Sequence, residues 1–450
     1  MSLDYQSFKA AVIAACAELG ITEYELYYQS GSDTSIGVFA HEINEFSSSE
    51  GGGVCLRCIV DGKMGYASTQ ALNVNEAKAL VTRAADNAAC LETEEQVFLC
   101  QGGKEYKVLQ DKSYDLPTTE ELIKTALDTQ EKIYAADPMV IDGCQTQVIA
   151  ESSEIAIYNS KGLDLTYSNK VSGLVVAAVV SDGKEMSDSY EIKLGKLSQL
   201  DTDALVGKAV ADAKLKLGGE APASGAMPVI FHTDAMCSLL GVFSSIFNSE
   251  NAQKGLSRLA GKEGEIIAAD CVTLVDDPFH PESPAPMNFD GEGCPTYTKK
   301  VIENGRLNTL LYNMKTAAVA GRETTGNASK AGYDSPVGIR PFTMYLANGT
   351  MTEEALLAKA GNGVYITDLG GLHAGANAIS GDFSLQSSGF KIENGKKTDY
   401  IKSFTVAGNF YELLKNIVAL ADNCHLPRAM GTTAFGAPSV LVEGLSVAGK

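Results

Sequence analysis

Positive charge is scarce in this chain. Thirty-six Lys and Arg face 56 Asp and Glu, a net charge of −20. The basic residues do not cluster anywhere along the sequence. Binding to phosphates needs clustered Lys and Arg, so a nucleic-acid surface is excluded as an expectation. Long apolar runs are missing as well. The opening Met1-Ser-Leu-Asp-Tyr5 has no basic region, and the run Ala10–Ala17 is too short to cross a bilayer, so neither a leader nor a membrane contact is expected. Ten cysteines (Cys16, Cys55, Cys58, Cys90, Cys100, Cys144, Cys237, Cys271, Cys294, Cys424) sit mostly inside apolar patterns. In a chain of 450 residues that reads as reduced thiols in a cytoplasm, not as a disulfide framework.

Several catalytic spellings are absent or misplaced. No G-x-S-x-G occurs. Gly255–Lys262 has the wrong spacing for a phosphate loop, and Glu263 stands where its Ser or Thr belongs. Gly291-Glu-Gly293 is followed by Cys-Pro, not by a helix-opening glycine. His41-Glu42 lies on an alternating, strand-like stretch, with Glu45 and Phe46 where a second His would stand. Cys55-Leu-Arg-Cys58 also reads as strand, and residues three apart on a strand face opposite sides. It therefore reads as two structural thiols. Cys424-His425 has no third ligand nearby, and His232, His280 and His373 show no paired spacing.

What is present is a folded composition, 45% apolar and 20% charged, in a chain long enough for two or three domains. Tyr5–Leu19 reads as a helix stopped by Gly20. Short strands follow at Glu23–Gln29, Thr34–Phe39, Ile43–Ser48 and Val54–Val60, and Asp61-Gly62 turns into Lys63–Ser68. A helix spans about 75–89, and 91–117 reads as a connection. The pattern then recurs. Thr118-Thr-Glu-Glu121 offers a capping box for a helix to about Ala135. Strands follow at Val140–Ala150, Glu154–Asn159, Leu163–Ser168 and Leu174–Val180, then one reaching Leu194, then a helix Asp203–Leu217. Each unit is helix, meander, helix, with Val-Asp-Gly-Lys63 and Ser-Asp-Gly-Lys184 at corresponding places. This suggests a duplication of 5–90 in 118–217.

Gly218–Gly225 is the linker candidate, dividing 1–220 from 226–450. Beyond it, Asn304-Gly305, Asn348-Gly349 and Asn394-Gly395 predict hairpins. Few helical periods appear there, apart from Glu353–Lys359 and Phe410–Ala421. The expected fold class is α+β: a duplicated N-terminal helix and antiparallel-sheet region, then a strand-rich, barrel-like C-terminal domain.

The most informative stretch is Pro228–Asp277. A strand Pro228–Phe231 ends at His232-Thr233, and a helix about Asp234–Asn248 carries Leu239, Leu240, Phe243, Ile246 and Phe247 at three- and four-residue steps. The stretch closes with a strand ending at Asp276-Asp277-Pro278. Two further segments stand out: Asn288–Gly293, and the glycine-dense Asp368–Ser384. This order, together with Thr324–Ala328, resembles the TldD/PmbA family, named for modulators of DNA gyrase and related to metallopeptidases. The resemblance covers nearly the whole chain and is more specific in its C-terminal half. It implies two subunit types, of which the TldD type carries H-E-x-x-x-H on the equivalent helix, able to bind zinc and supply a base. Here the comparable window, Leu239–Ile246, holds no ligand. The segment Met430–Pro438 has Thr432 and Thr433 where the TldD type keeps a cysteine. The chain thus looks like the PmbA/TldE type.

That resemblance implies a non-metal subunit of a cytoplasmic metallopeptidase complex acting on unfolded or small peptides, where it would scaffold and gate the cleft. No cofactor is expected in this chain, zinc being expected in a TldD-type partner. The partner is such a subunit, or a second copy as a homodimer, together with a peptide. Candidate cleft or subunit-contact residues are Asp276, Asp277, Asp290, Asn327, His373, Asn377, Asp382 and Ser384. The plainer reading, carboxylates and amides that form tight turns, stays open beside it. Two rivals also stand: an autonomous hydrolase assembled from Asp276, Asp277, Asp290, His373 and Asp382, and a non-enzymatic homodimeric peptide-binding protein.

Overall fold

The structure, a computed structural model, describes residues 4–93, 95–109, 115–430 and 433–450. Its first half runs α1 (Tyr5–Glu18), β1 (Tyr24–Phe39), β2 (Glu42–Val60), β3 (Lys63–Thr69), α2 (Val74–Ala89), α3 (Thr119–Ala136), β4 (Gln145–Asn159), β5 (Leu163–Ser181), β6 (Met186–Leu194) and α4 (Thr202–Leu215). The strands form one sheet in the order β3-β2-β1-β4-β5-β6, every neighbour antiparallel. Two three-stranded meanders therefore meet edge to edge through β1 and β4.

Two helix pairs cover the sheet, each packing mainly on one meander and on the edge of the other. Phe8, Val12 and Cys16 of α1 and Leu80, Val81 and Ala84 of α2 pack on Leu26, Leu56 and Cys58. Leu122, Ala126 and Ile133 of α3 and Val206, Ala209 and Val210 of α4 pack on Ile36, Val148, Leu174 and Val176. The caps follow the sequence. Asp4 and Asn73 accept the N3 amides of α1 and α2, and Thr118 with Glu121 closes a reciprocal box on α3.

The strands are longer than the sequence suggests. β1 continues through Ser30-Gly31-Ser32 and β2 through Ser47–Gly53, stretches whose low strand propensity reads as breaks. Pairing overrides that propensity, Ser30–Ser32 between β2 and β4 and Ser47–Gly53 along β1, and the small residues make the passage possible. A Cβ on Gly31 would lie 2.6 Å from the Ser152 carbonyl oxygen, and one on Gly52 would lie 2.5 Å from that of Gln29. Ala40 and His41, at positive φ, form the turn between β1 and β2 instead of continuing a strand.

The second half begins with β7 (Gly225–Phe231). It pairs in parallel with Gly363–Gly370 and antiparallel with Val440–Ala448. Asp382–Glu393 and Lys396–Asn409 complete the set, and Thr405–Ala407 pairs with Ser446–Ala448, which closes a five-stranded barrel. The α+β expectation with a barrel-like C-terminal half therefore holds. A second six-stranded sheet beside it includes Leu274–Asp276, Lys299–Glu303, Thr343–Leu346 and Thr433–Ala437. Asn304-Gly305 and Asn394-Gly395 are hairpin turns with both residues at positive φ. Asn348-Gly349 is not. Its Asn348 side chain accepts the Cys424 amide and its Gly349 lies against the Leu420 backbone, so the pair anchors a loop. The helix expected over Phe410–Ala421 ends at Lys415, and Ile417–Leu420 joins the barrel sheet.

Candidate functional site

β7 ends at His232, whose extended backbone (φ −60, ψ 160) caps α5 (Thr233–Phe243), its Nδ1 lying 3.4 Å from the Asp234 amide. The chain then tightens into a 3-10 turn, Ser244–Phe247, and Asn248 caps the next helix, Ser249–Gln253. The single helix expected to Asn248 is therefore two, because the Asn248 side chain takes the Glu250 and Asn251 amides and restarts the helix.

α5 is packed as a core element. Ala235, Met236, Leu239, Leu240, Phe243, Ile246 and Phe247 are all essentially inaccessible. Phe243 stacks on Phe410 with centroids 4.5 Å apart and planes 10° apart, and meets Phe383 edge-on at 6.2 Å. The rest of the window Leu239–Ile246, half-buried Gly241, Val242, Ser244 and Ser245, carries no imidazole, thiol or carboxylate. Among the described residues, no group of three His, Cys, Asp or Glu side chains is placed to share a metal ion.

A polar cluster lies at the N-terminal end of α5, and sequence spacing gave no sign of it. The His232 ring approaches Tyr365 at 5.9 Å and His425 at 6.4 Å. Glu353 collects Tyr365 Oη (2.7 Å), Lys397 Nζ (2.8 Å), Ser439 Oγ (3.0 Å) and Asn423 Nδ2 (3.1 Å). Burial pulls the His232 imidazole below its usual range. The charges of Asp234 and Glu353 oppose that pull, while His425 and Lys397 reinforce it. Burial also works against the Glu353 carboxylate, yet its donors hold it low. These residues come from six separate stretches, hence their invisibility in one dimension.

The structure divides the sequence candidates into two groups. Asp276, fully buried, accepts Lys299 Nζ at 3.1 Å, Asn327 Nδ2 at 2.8 Å and the Phe342 amide at 2.8 Å. Asn327 also donates to the Arg340 carbonyl at 3.0 Å and accepts Thr325 Oγ1 at 2.8 Å. One residue on, the Ala328 amide reaches Asp290 at 3.0 Å, and Asp290 takes the Glu292 and Cys294 amides at 2.9 Å each. Burial, followed by the charge of Glu292, pushes the Asp290 carboxyl up to about 8, against its three amide donors. Glu292 in turn lies 3.8 Å from Arg57 of β2, and Arg57 Nε holds Glu25 of β1 at 2.8 Å. Asp277 sits at the edge, accepting Thr298 Oγ1 at 2.7 Å. This network ties the glycine-rich loops to the N-terminal sheet.

The other group lies around the barrel strand Asp382–Glu393. Asn377 caps the Ile379 and Ser380 amides, its own amide bonds the Asp382 carbonyl, and Asp382 accepts Asn409 Nδ2 at 2.7 Å. Ser384 is exposed, and its carbonyl would lie 2.3 Å from a Cβ on Gly375. His373 is exposed on the short helix Leu372–Gly375. Among the described residues, no hydrogen bond joins Asn377, Asp382, Ser384 or His373 to the first group. In the C-terminal segment Thr433 is buried and bonds the Pro341 carbonyl, while Thr432 lies outside the described residues.

Three family models match the chain: PmbA/TldA metallopeptidase domain 1 over 24–88, the central domain over 112–217 and the C-terminal domain over 224–449. A Haemophilus influenzae metalloprotease PmbA homologue is 23% identical over 449 residues, covering 98% of this chain and 94% of that protein. A Thermotoga maritima protein described as a candidate modulator of a DNA gyrase superposes with a TM-score of 0.89 at 29% identity, over 99% of this chain and all of that one. TldE of Thermococcus kodakarensis gives a TM-score of 0.87 at 24% identity, over 98% and 99% of the two chains.

Proposed function

The chain belongs to the PmbA/TldD metallopeptidase family, and from that premise we propose that it is a PmbA/TldE-type subunit that supplies no metal of its own. It pairs with a TldD-type chain and helps enclose a cleft in which unfolded or small peptides are hydrolysed. Residues 1–220 serve as scaffold, and 226–450 take the place of the partner's peptidase domain. The observation that carries this reading is α5. Its window Leu239–Ile246 points Leu239, Leu240, Phe243 and Ile246 into the apolar core. Peptide hydrolysis at neutral pH needs an activated water, and zinc lowers that water's pKa to about 7. The half-buried positions of that window, Gly241, Val242, Ser244 and Ser245, carry no imidazole, thiol or carboxylate to hold such an ion.

The candidates read most simply as architecture within this role. Asp276 is filled by Lys299, Asn327 and the Phe342 amide, Asn327 by the Thr325 hydroxyl, and Asp290 by backbone amides, so they fix the loops between the barrel and the N-terminal sheet. Asn377, Asp382 and Ser384 shape the rim of the barrel. No helix among the described residues is long and apolar enough to cross a membrane.

The test is peptide hydrolysis by the purified chain, by a TldD-type chain, and by the two mixed. The proposal expects chelator-sensitive cleavage of an unstructured peptide in the mixture and none by this chain alone. Chelator-sensitive cleavage by the isolated chain would favour the autonomous hydrolase. A stable homodimer that binds peptides and ignores the TldD-type chain would favour the non-enzymatic reading.

A further inference from the structure

Cys100 and Cys294 lie 194 residues apart in sequence, yet their sulfurs are 3.1 Å apart. That is about 1 Å beyond a disulfide's ~2.05 Å. All ten cysteines are free in the structure. Both members of this pair are held in place by backbone contacts. The Cys100 carbonyl accepts Asn159 Nδ2 at 2.9 Å, and neighbouring Gly102 packs against the Gly162 backbone. The Cys294 amide is fixed on Asp290 at 2.9 Å. Between them, Tyr106 Oη and Cys100 Sγ both reach the Gly293 carbonyl, at 2.8 and 3.4 Å.

The two thiols are chemically unequal. A hydrogen bond from Cys294 draws the Cys100 thiol below its ordinary value; burial opposes it, and the ammonium of Lys104 adds to the lowering. The contact with Cys100 and burial keep Cys294 well above it. A thiolate-prone cysteine beside a protonated one is the arrangement of a peroxide- or disulfide-sensing pair. The pair itself is inaccessible, while Gln101, Gly103 and Lys104, which follow Cys100 in the chain, are exposed.

We propose that Cys100 and Cys294 form a reversible disulfide, with hydrogen peroxide as oxidant and a dithiol as reductant. The Cys100 thiolate attacks one peroxide oxygen, breaking the O–O bond and giving a sulfenic acid and hydroxide, which takes a proton to become water. Cys294 loses its proton and attacks the Cys100 sulfur, forming the S–S bond and expelling the second oxygen as water. Two thiols and one peroxide thus become one disulfide and two waters. The bond staples the segment between α2 and α3 to the loop 290–294, and so to the carboxylate network that joins the two halves of the chain.

The experiment treats the full-length protein with hydrogen peroxide, alkylates the remaining thiols and maps linked peptides by mass spectrometry without reduction. Exposed Cys90 and Cys271 serve as internal controls. The expected result is a Cys100–Cys294 linked peptide while Cys90 and Cys271 still alkylate, with a rise in Tm of several degrees that dithiothreitol reverses. In Cys294→Ala the sulfenic acid should persist on Cys100 and be trapped by dimedone. Loss of Cys90 and Cys271 with the buried pair untouched overturns the proposal, as does over-oxidation of Cys100 without a link. The wild-type map decides the matter even if the variant does not fold.

Discussion

Phe243→Ala tests whether α5 is a core strut. Phe243 is fully buried, stacked on Phe410 at 4.5 Å and edge-on to Phe383 at 6.2 Å. Truncating a buried Phe to Ala costs about 3–5 kcal/mol, through lost transfer energy and the cavity left behind. The offset ring stack accounts for roughly 0.5–1.5 kcal/mol of that beyond area. The barrel strands carrying Phe383 and Val406 are hydrogen-bonded on both sides and cannot easily collapse into the gap, so the upper part of the range is expected. Val242, one residue earlier, is only partly buried, and Val242→Ala should cost about 1 kcal/mol or less. The chain lacks tryptophan, so urea unfolding is best followed by circular dichroism at 222 nm, with the m-value checked for constancy. If Phe243→Ala lost under about 1 kcal/mol, or no more than Val242→Ala, the helix would have a loose face. The argument that its window is closed to a ligand would then fail.

Lys299→Met leaves the Asp276 carboxylate buried without its cation, and should cost about 3–5 kcal/mol in urea; a loss under about 1 kcal/mol would show that Asn327 and the Phe342 amide suffice. Gly31→Ala would place a methyl 2.6 Å from the Ser152 carbonyl, so a loss of about 1–3 kcal/mol is expected, and unchanged stability would contradict the close approach of β1 and β4. His232 is held neutral by burial, so the unfolded chain binds its proton more readily than the folded one. Its contribution is present above pH 6.5 or so and lost as pH falls below it. The Tm of His232→Gln should fall less steeply than that of the wild type between pH 7 and pH 5, and parallel curves would refute this.

Much of the architecture was legible locally. The capping box at Thr118 and Glu121, the stop at Gly20 and the Asn-Gly turns at 304 and 394 rest on neighbours a few residues away. Binary patterning sufficed for the helices that face the N-terminal sheet. What could not be read was anything decided across the chain. Ser30–Ser32 and Ser47–Gly53 stay in strands because β4 lies alongside β1, and β1 alongside β2. Asn348-Gly349 turns no hairpin because Cys424 and Leu420 occupy its surroundings. The site was split in the same way. Asp276, Asn327 and Asp290 stood out as polar residues in glycine-rich loops, and the structure joins them through Ala328. The cluster of His232, Glu353, Tyr365, Lys397 and His425 needed five separate elements to converge. The partner of Cys100 lay 194 residues away.

The most direct measurement is the zinc content of the purified chain, by elemental analysis after expression in zinc-supplemented medium. A metal-free subunit predicts zinc far below one ion per chain, unchanged by Phe243→Ala or His232→Gln. One tightly held zinc per chain, resistant to dialysis and lost in His232→Gln, would contradict the account.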